Sequence, residues 1–182
     1  MTQALLVIDI QNDYFAGGKM PLVGSEEAAV QARRMQDAFR QRNLPVIHLQ
    51  HVAASPNASF FAPNTAGAEI HSSVAPIGDE PVVVKHHPNA FRETNLASRL
   101  EALAVTDLVV VGMMTHMCID TSVRAASDMG LKVTLIADAC ATKNLEFDGV
   151  VVPAAQVQAS FLAAIDGSFG QVVAAEKYLS GE

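Results

Sequence analysis

Three residues of this chain have the types and the setting for nucleophilic chemistry: a thiol at Cys118, a carboxylate at Asp9 and an ammonium at Lys85. Each comes at or just after the end of a short apolar run. Residues 4–8 deliver Asp9, residues 82–84 deliver Lys85, and residues 108–111 lead through Gly112 to Cys118. In open α/β sheets ligands sit beyond the carboxyl ends of the strands, so strand ends are where chemistry is expected. With Thr115 as a helix cap, Cys118 falls at the third helical position. There free N–H groups and the helix macrodipole favour thiolate over thiol. Burial opposes this, and Lys85 is the cation that would have to tip the balance. An inert, buried cysteine fits the same position. Asp9 fits a general base that takes the thiol proton; it also fits a turn cap, although Asp13 is the better capper. Lys85 extends a Val-Val-Val run into half-buried surroundings, where lysine needs a partner, and Asp9 is the one available. Its alternative is a stem along the strand with the charged head in water.

The elements that would position these residues form an alternating pattern. Apolar runs at 4–8, 45–49, 82–84, 108–111, 133–137 and 172–174 are near-continuous in Val, Ile and Leu, as in parallel strands covered on both faces. Between them the spacing predicts helices over 25–42, 96–104, 115–129 and 154–165. Ser25 is the expected N-cap of the first, with Val30, Met35 and Phe39 as its buried stripe. Gly130 is the expected stop of the third. Residues 52–81 are rich in Ala, Ser, Asn, Pro and Gly, and an irregular excursion of that length is usually a lid or pocket wall. No repeat, low-complexity tract or linker divides the chain, so residues 1–182 read as a single domain.

Composition narrows the function classes. A chain of 182 residues can bury about 70% of its unfolded surface. Half of it is apolar and 17% is charged, a globular profile that holds a site rigidly without disulfide or structural metal. The net charge is −7, from 12 basic and 19 acidic residues, and no segment gathers Lys and Arg. Nucleic acid and anionic membrane are therefore poor partners. Cys118 and Cys140 give neither a disulfide framework nor a metal-ligand spacing. The first ten residues lack a cationic leader and there is no apolar run of spanning length, so a cytoplasmic location is expected.

Leu6-Val7-Ile8-Asp9-Ile10-Gln11-Asn12-Asp13, then Val84-Lys85 with Asn89-Ala90-Phe91-Arg92-Glu93-Thr94-Asn95-Leu96, then Val110-Val111-Gly112-Met113-Met114-Thr115-His116-Met117-Cys118 with Thr121, Ala125, Ala126 and Asp138-Ala139-Cys140, occur in that order. In these stretches the chain resembles the isochorismatase-like cysteine hydrolases. The resemblance implies a three-layer α/β fold with a six-stranded parallel sheet in the Rossmann-like order 3-2-1-4-5-6. It implies a catalytic triad on Asp9, Lys85 and Cys118. It further implies a cis peptide between Met113 and Met114, aiming the Met114 N–H with that of Cys118 at a developing oxyanion. With this strand order Lys85 starts two strands, about 10 Å, from Asp9 and must lean inward.

The activity so implied is hydrolysis of a small-molecule C–N bond (amide, carbamoyl or ureido) through a Cys118 thioester. Relatives also include nicotinamidases, streptothricin hydrolases and isochorismatases; the last need no thiol, so Cys118 argues against that branch. Nicotinamidases bind metal through Asp-x-His after the second strand. Here His51 and Ala53 take those places, so neither metal nor other cofactor is expected. His71, His86, His87 and His116 show no paired-ligand spacing. The expected pocket is Gln11, Phe15, Phe60, Phe61, Phe91, Met114, Thr115 and His116, with His51 a further substrate contact and Arg92 a partner for a substrate carboxylate. Phe15 and Phe91 equally suit the core. Two other readings stay open: a non-catalytic small-molecule binder on the same fold, and a redox sensor at Cys118, which would need a resolving thiol that Cys140, after the fifth strand, has no clear reason to supply. The partner expected is a small-molecule substrate, in a homodimer or homotetramer, with residues 154–165 as a packing surface.

Overall fold

The strands that carry the three polar residues lie at the centre and one edge of a single parallel sheet. The computed structural model describes residues 2–181; Met1 and Glu182, the ends of the expected domain, lie outside the described residues. The strands are β1 (Thr2–Ile8), β2 (Val46–His51), β3 (Val82–Lys85), β4 (Val105–Met113), β5 (Lys132–Ala141), β6 (Leu145–Phe147), β7 (Val150–Val152) and β8 (Gln171–Val173). Six of them form the sheet, in the order β3-β2-β1-β4-β5-β8. This is the expected arrangement with β8 in the sixth place. The two intervening strands pair with each other, as an antiparallel hairpin. Asp148 (φ 50°) and Gly149 (φ 75°) make its two-residue turn, a sequence suited to left-handed geometry at both positions. Three-residue strands are too short to register as periodic runs, so the hairpin escapes the sequence pattern.

Side chains of β1 alternate between two cores, as a pleated strand requires. Leu5 and Val7 join Val109 and Val111 of β4 beneath α1 (Ser25–Gln41) and α5 (Ala175–Ser180). Ala4, Leu6 and Ile8 join Leu108 and Val110 beneath α2 (Leu96–Ala102), α3 (Asp120–Asp128) and α4 (Ala154–Ile165). Each fully buried Leu or Ile contributes roughly 1.5–3 kcal/mol. The central strands are therefore the rigid base on which the site is built.

Several local expectations are corrected. The buried stripe of α1 runs through Ala28, Ala32, Met35 and Phe39, while Val30 is exposed. Small alanines let the helix lie close on the sheet, and Val30 falls between the inward positions. Ser25 is the first helical residue and not the cap; Gly24, at φ 77°, makes the entry turn after the Val23 N–H donates to the Thr142 carbonyl. Helix α2 ends at Ala102, and Ala104 turns left-handed at φ 50°. Strand β3 is covered on one face only. Val83 and Lys85 are buried, whereas Val82 and Val84 face outward on this edge strand.

Segment 52–81 contains two short 3₁₀ turns, Ala66–Ala68 and Ser72–Val74, and is pinned by polar residues following β1. Gln11 Nε2 donates to the carbonyls of His51 (2.8 Å) and Ala68 (2.7 Å). Asn12 Nδ2 donates to the Ala66 carbonyl (2.7 Å), and Asp13 Oδ2 accepts from the Phe61 N–H (2.6 Å). The segment is thus a fastened wall beside the strand ends. No helix among the described residues is long and apolar enough to cross a membrane.

Candidate active site

Asp9 stands one residue beyond β1 in the left-handed region (φ 52°), where Asp is tolerated better than most side chains. Its N–H donates to the Leu49 carbonyl (3.1 Å), so the chain leaves the strand through a fixed turn. On the neighbouring strand Gly112 pairs with Ile8 and has φ 133°. A Cβ there would collide with the Ile8 carbonyl oxygen, so only glycine lets the two strand ends approach this closely. The peptide between Met113 and Met114 is cis.

The turn that follows is not the ordinary helix start expected at Thr115. Residues Thr115–Ile119 form a wide turn in which the Ile119 N–H reaches the Met114 carbonyl (3.3 Å), and α3 begins only at Asp120. Thr115 does not cap it. Its hydroxyl instead donates to Gln158 Oε1 of α4 (2.6 Å) and to the Ala141 carbonyl (3.2 Å). His116 Nδ1 lies 2.6 Å from Thr142 Oγ1. Both side chains expected in the pocket are thus turned toward β5 and α4, where they fasten the turn that carries Cys118.

The triad residues meet. The Lys85 ammonium, leaning across β2, lies 2.7 Å from Asp9 Oδ2, an ion pair slightly off the line of a directed hydrogen bond, with both side chains fully buried. It also lies 3.4 Å from Cys118 Sγ and 3.1 Å from His51 Nδ1, and donates to the carbonyl oxygen of His87 at 3.0 Å. Burial pushes the Lys85 ammonium toward deprotonation, but Asp9 and then Cys118 outweigh it and hold its pKa above the ordinary lysine value. Cys118 behaves oppositely to the helix-start expectation. Burial raises its pKa, the Asp9 carboxylate raises it further, and the opposing pull of Lys85 is smaller. The resting sulfur is therefore a thiol with a carboxylate at hand.

Aromatic side chains of the pinned wall crowd this cluster. Tyr14 packs on Phe61 (centroids 4.6 Å) and Phe60 (6.1 Å), and the His51 ring lies 5.9 Å from that of Phe61. Burial raises the Tyr14 phenol pKa, and any negative charge that arises at Cys118 or Asp9 acts in the same direction. Through Phe61, it is the Tyr14 ring and not that of Phe15 that joins the wall reaching His51. Sequence reasoning missed Tyr14 by one position, because the 3₁₀ turn Asn12–Tyr14 rotates the chain after Asp9. Phe15 instead stacks on His71 (3.7 Å). Phe91 lines a hollow with Leu100, Val105 and Leu131, near the end of the sheet where β4 and β5 begin, away from the triad. Gln11 is fully buried and spends its amide on the wall. Arg92 is exposed beside Glu93. Cys140 is buried, its thiol directed at the Ile136 carbonyl (3.3 Å) and pushed by burial up to about 12.

One group of metal-ligating types occurs among the described residues: Asp9, His51 and Cys118 offer atoms within 4.8 Å of one another. The Lys85 ammonium already touches all three. A divalent ion at the same atoms would sit against that charge, so this donor set fits a lysine-centred cluster better than a metal.

Comparison with known proteins agrees with this geometry. Residues 3–175 match the isochorismatase domain. The chain is 48% identical to the uncharacterized isochorismatase family protein YddQ of Bacillus subtilis, covering 98% of this chain and 99% of that protein. It is 36% identical to a streptothricin hydrolase of Streptomyces noursei over 79% of this chain and 51% of that protein, and nicotinamidases are also among its relatives. A crystal structure described as a putative isochorismatase hydrolase from Oleispira antarctica superimposes with a TM-score of 0.96 at 49% identity, covering 99% of this chain and 97% of the other. With its sheet order, its strand-end cluster and these matches taken together, the chain belongs to the isochorismatase family of hydrolases.

Proposed function

We propose that this protein hydrolyses a C–N bond of a small amide, carbamoyl or ureido compound, with Cys118 as nucleophile, Asp9 as general base and Lys85 as the charge that serves both. The observation that carries this reading is the position of the Lys85 ammonium, 2.7 Å from the carboxylate and 3.4 Å from the sulfur. When Asp9 takes the thiol proton, negative charge passes from oxygen to sulfur while remaining beside the same cation. The site's total charge is unchanged, so a thiol held high at rest need not be stable as a thiolate in the free enzyme. In a dry site the ammonium acts with little solvent screening.

The thiolate then attacks the carbonyl carbon, and the oxyanion is received by the N–H groups of Met114 and Cys118, a contribution of about 100-fold or more per donor. Asp9 returns its proton to the leaving nitrogen, and a C–N bond is exchanged for a thioester. Water, deprotonated by Asp9, cleaves the thioester and restores the thiol. Tyr14, Phe60 and Phe61 offer an aromatic wall suited to a small, partly apolar substrate. The streptothricin hydrolase and nicotinamidase names among the relatives support a C–N substrate.

The test is a panel of small primary amides, carbamoyl compounds and cyclic ureides with release of ammonia or amine as readout. At least one class is turned over, and Cys118→Ala and Cys118→Ser lose on the order of 10³-fold or more while remaining folded. Rapid quench and intact-mass measurement finds the acyl adduct on Cys118. An alanine variant that keeps turnover refutes the nucleophile.

A further inference from the structure

His51 faces the Lys85 ammonium through one ring nitrogen. It ends β2, and its backbone is clamped on both sides by one side chain: its N–H donates to Gln11 Oε1 (2.8 Å) and its carbonyl accepts from Gln11 Nε2 (2.8 Å). Its ring nitrogen Nδ1 lies 3.1 Å from the Lys85 ammonium. The ammonium has three protons for five neighbours, Asp9, His87, Pro88 and Cys118 being the others, and no lone pair, so a hydrogen bond to it is made by a lone pair on Nδ1. A neutral imidazole with its lone pair on Nδ1 has its proton on Nε2. Burial, then the Lys85 charge, carries the His51 pKa down to about 4, with Asp9 opposing and His86 and His87 adding to the fall. The ring is therefore neutral throughout the physiological range.

The Nε2–H so defined has no acceptor among the described residues, nor is Nε2 one of the sealed polar atoms. Yet a His51 ring nitrogen, an Asp9 oxygen and Cys118 Sγ all lie within 4.8 Å of one another. A group bound to the sulfur is thus within reach of the imidazole. Resting on the thiol-nucleophile reading above, we infer that His51 Nε2–H is a preset donor to an acceptor oxygen carried beside the reacting carbonyl of the substrate. This narrows the substrate class to compounds with two oxygen acceptors close together, as in dicarbonyl amides, ureido acids or cyclic ureides. A site built to satisfy a donor discriminates strongly against analogues that leave it unpaired.

Two measurements test this. In protein with ¹⁵N-labelled histidine, long-range ¹H–¹⁵N correlations are expected to show His51 with an unprotonated Nδ1 and a protonated Nε2 from pH 8 to pH 5. A protonated Nδ1 overturns the inference and leaves the amidase reading intact. The second measurement is the alkylation rate of Cys118, followed by peptide mass spectrometry, with iodoacetamide, which brings a carbonyl oxygen beside the sulfur, and with methyl iodide, which brings none. Asparagine reproduces the Nδ1 acceptor and glutamine the Nε2 donor. His51→Asn is therefore expected to slow iodoacetamide about tenfold relative to methyl iodide, and His51→Gln to remain within about threefold of the parent. Equal slowing with both reagents, or a loss in His51→Gln that His51→Asn restores, makes the ring only a support for Lys85 and overturns the inference. Turnover retained in Cys118→Ala removes the nucleophile and the inference with it.

Discussion

Replacing Lys85 by Met removes the cation of the buried cluster while keeping much of its stem volume. Asp9 and Lys85 side chains are fully buried and 2.7 Å apart, so the variant strands a carboxylate in the interior with no compensating charge. Breaking a buried pair from one side costs about 3–5 kcal/mol. The lost bonds to His51 Nδ1 and the His87 carbonyl act in the same direction. For a chain of this size each kcal/mol moves the midpoint by about 2–4 °C, so Lys85→Met is expected to lower Tm by roughly 6–20 °C. The double variant Asp9→Asn/Lys85→Met removes both charges, and because exchange of a whole buried pair for neutral groups is often close to neutral, it is expected to regain a large part of the loss. Thermal and urea unfolding of the four proteins in a double-mutant cycle measure the coupling, expected at about 2 kcal/mol or more. All three variants are expected to lack turnover, so the stability cycle reads the electrostatic coupling without relying on activity. Two single losses that simply add, or a Lys85→Met protein within 1 kcal/mol (about a fivefold ratio) of the parent, would refute the idea that these charges hold one another.

Other consequences follow from particular contacts. Gly112→Ala places a methyl group against the Ile8 carbonyl at φ 133°, so little soluble protein is expected, and any recovered should show a sharply lowered Tm with loss of turnover. At the opposite end of β2, Glu80 accepts from Arg40 Nε (2.7 Å) and lies 3.0 Å from His48 Nε2. Burial pushes its carboxyl up, but the bonds from Arg40, His48 and the Ile77 N–H outweigh burial and carry its pKa down to about 2. A depressed carboxylate stabilises the fold above its unfolded pKa, and that stability is lost as pH falls from there through about 2. Glu80→Gln is therefore expected to be less stable at neutral pH and to flatten the acid limb, as read from urea midpoints between pH 5 and pH 2. An acid limb of unchanged slope rules out Glu80 as its source.

Local chemistry made much of this protein legible from its residues alone. Near-continuous Val, Ile and Leu runs identify parallel strands because both faces of such strands are buried. The resemblance to the isochorismatase-like hydrolases gave their order, now seen as β3-β2-β1-β4-β5-β8. The rule that ligands gather at carboxyl strand ends picks out Asp9, Lys85 and Cys118 before any coordinates. Short elements escaped, since three-residue strands such as Leu145–Phe147 and the single-turn entry to α3 leave no periodic trace. Side-chain direction escaped too. A 3₁₀ turn put Tyr14 and not Phe15 into the aromatic wall with Phe61, and Thr115 and His116 spend their polar groups on Gln158 and Thr142. Only the folded sheet could bring a lysine across one strand to touch a carboxylate, a sulfur and a histidine at once. Residue types and strand ends are set by nearest neighbours along the chain. The charge state of a thiol and the tautomer of an imidazole are set by neighbours that are distant in sequence and meet only in three dimensions.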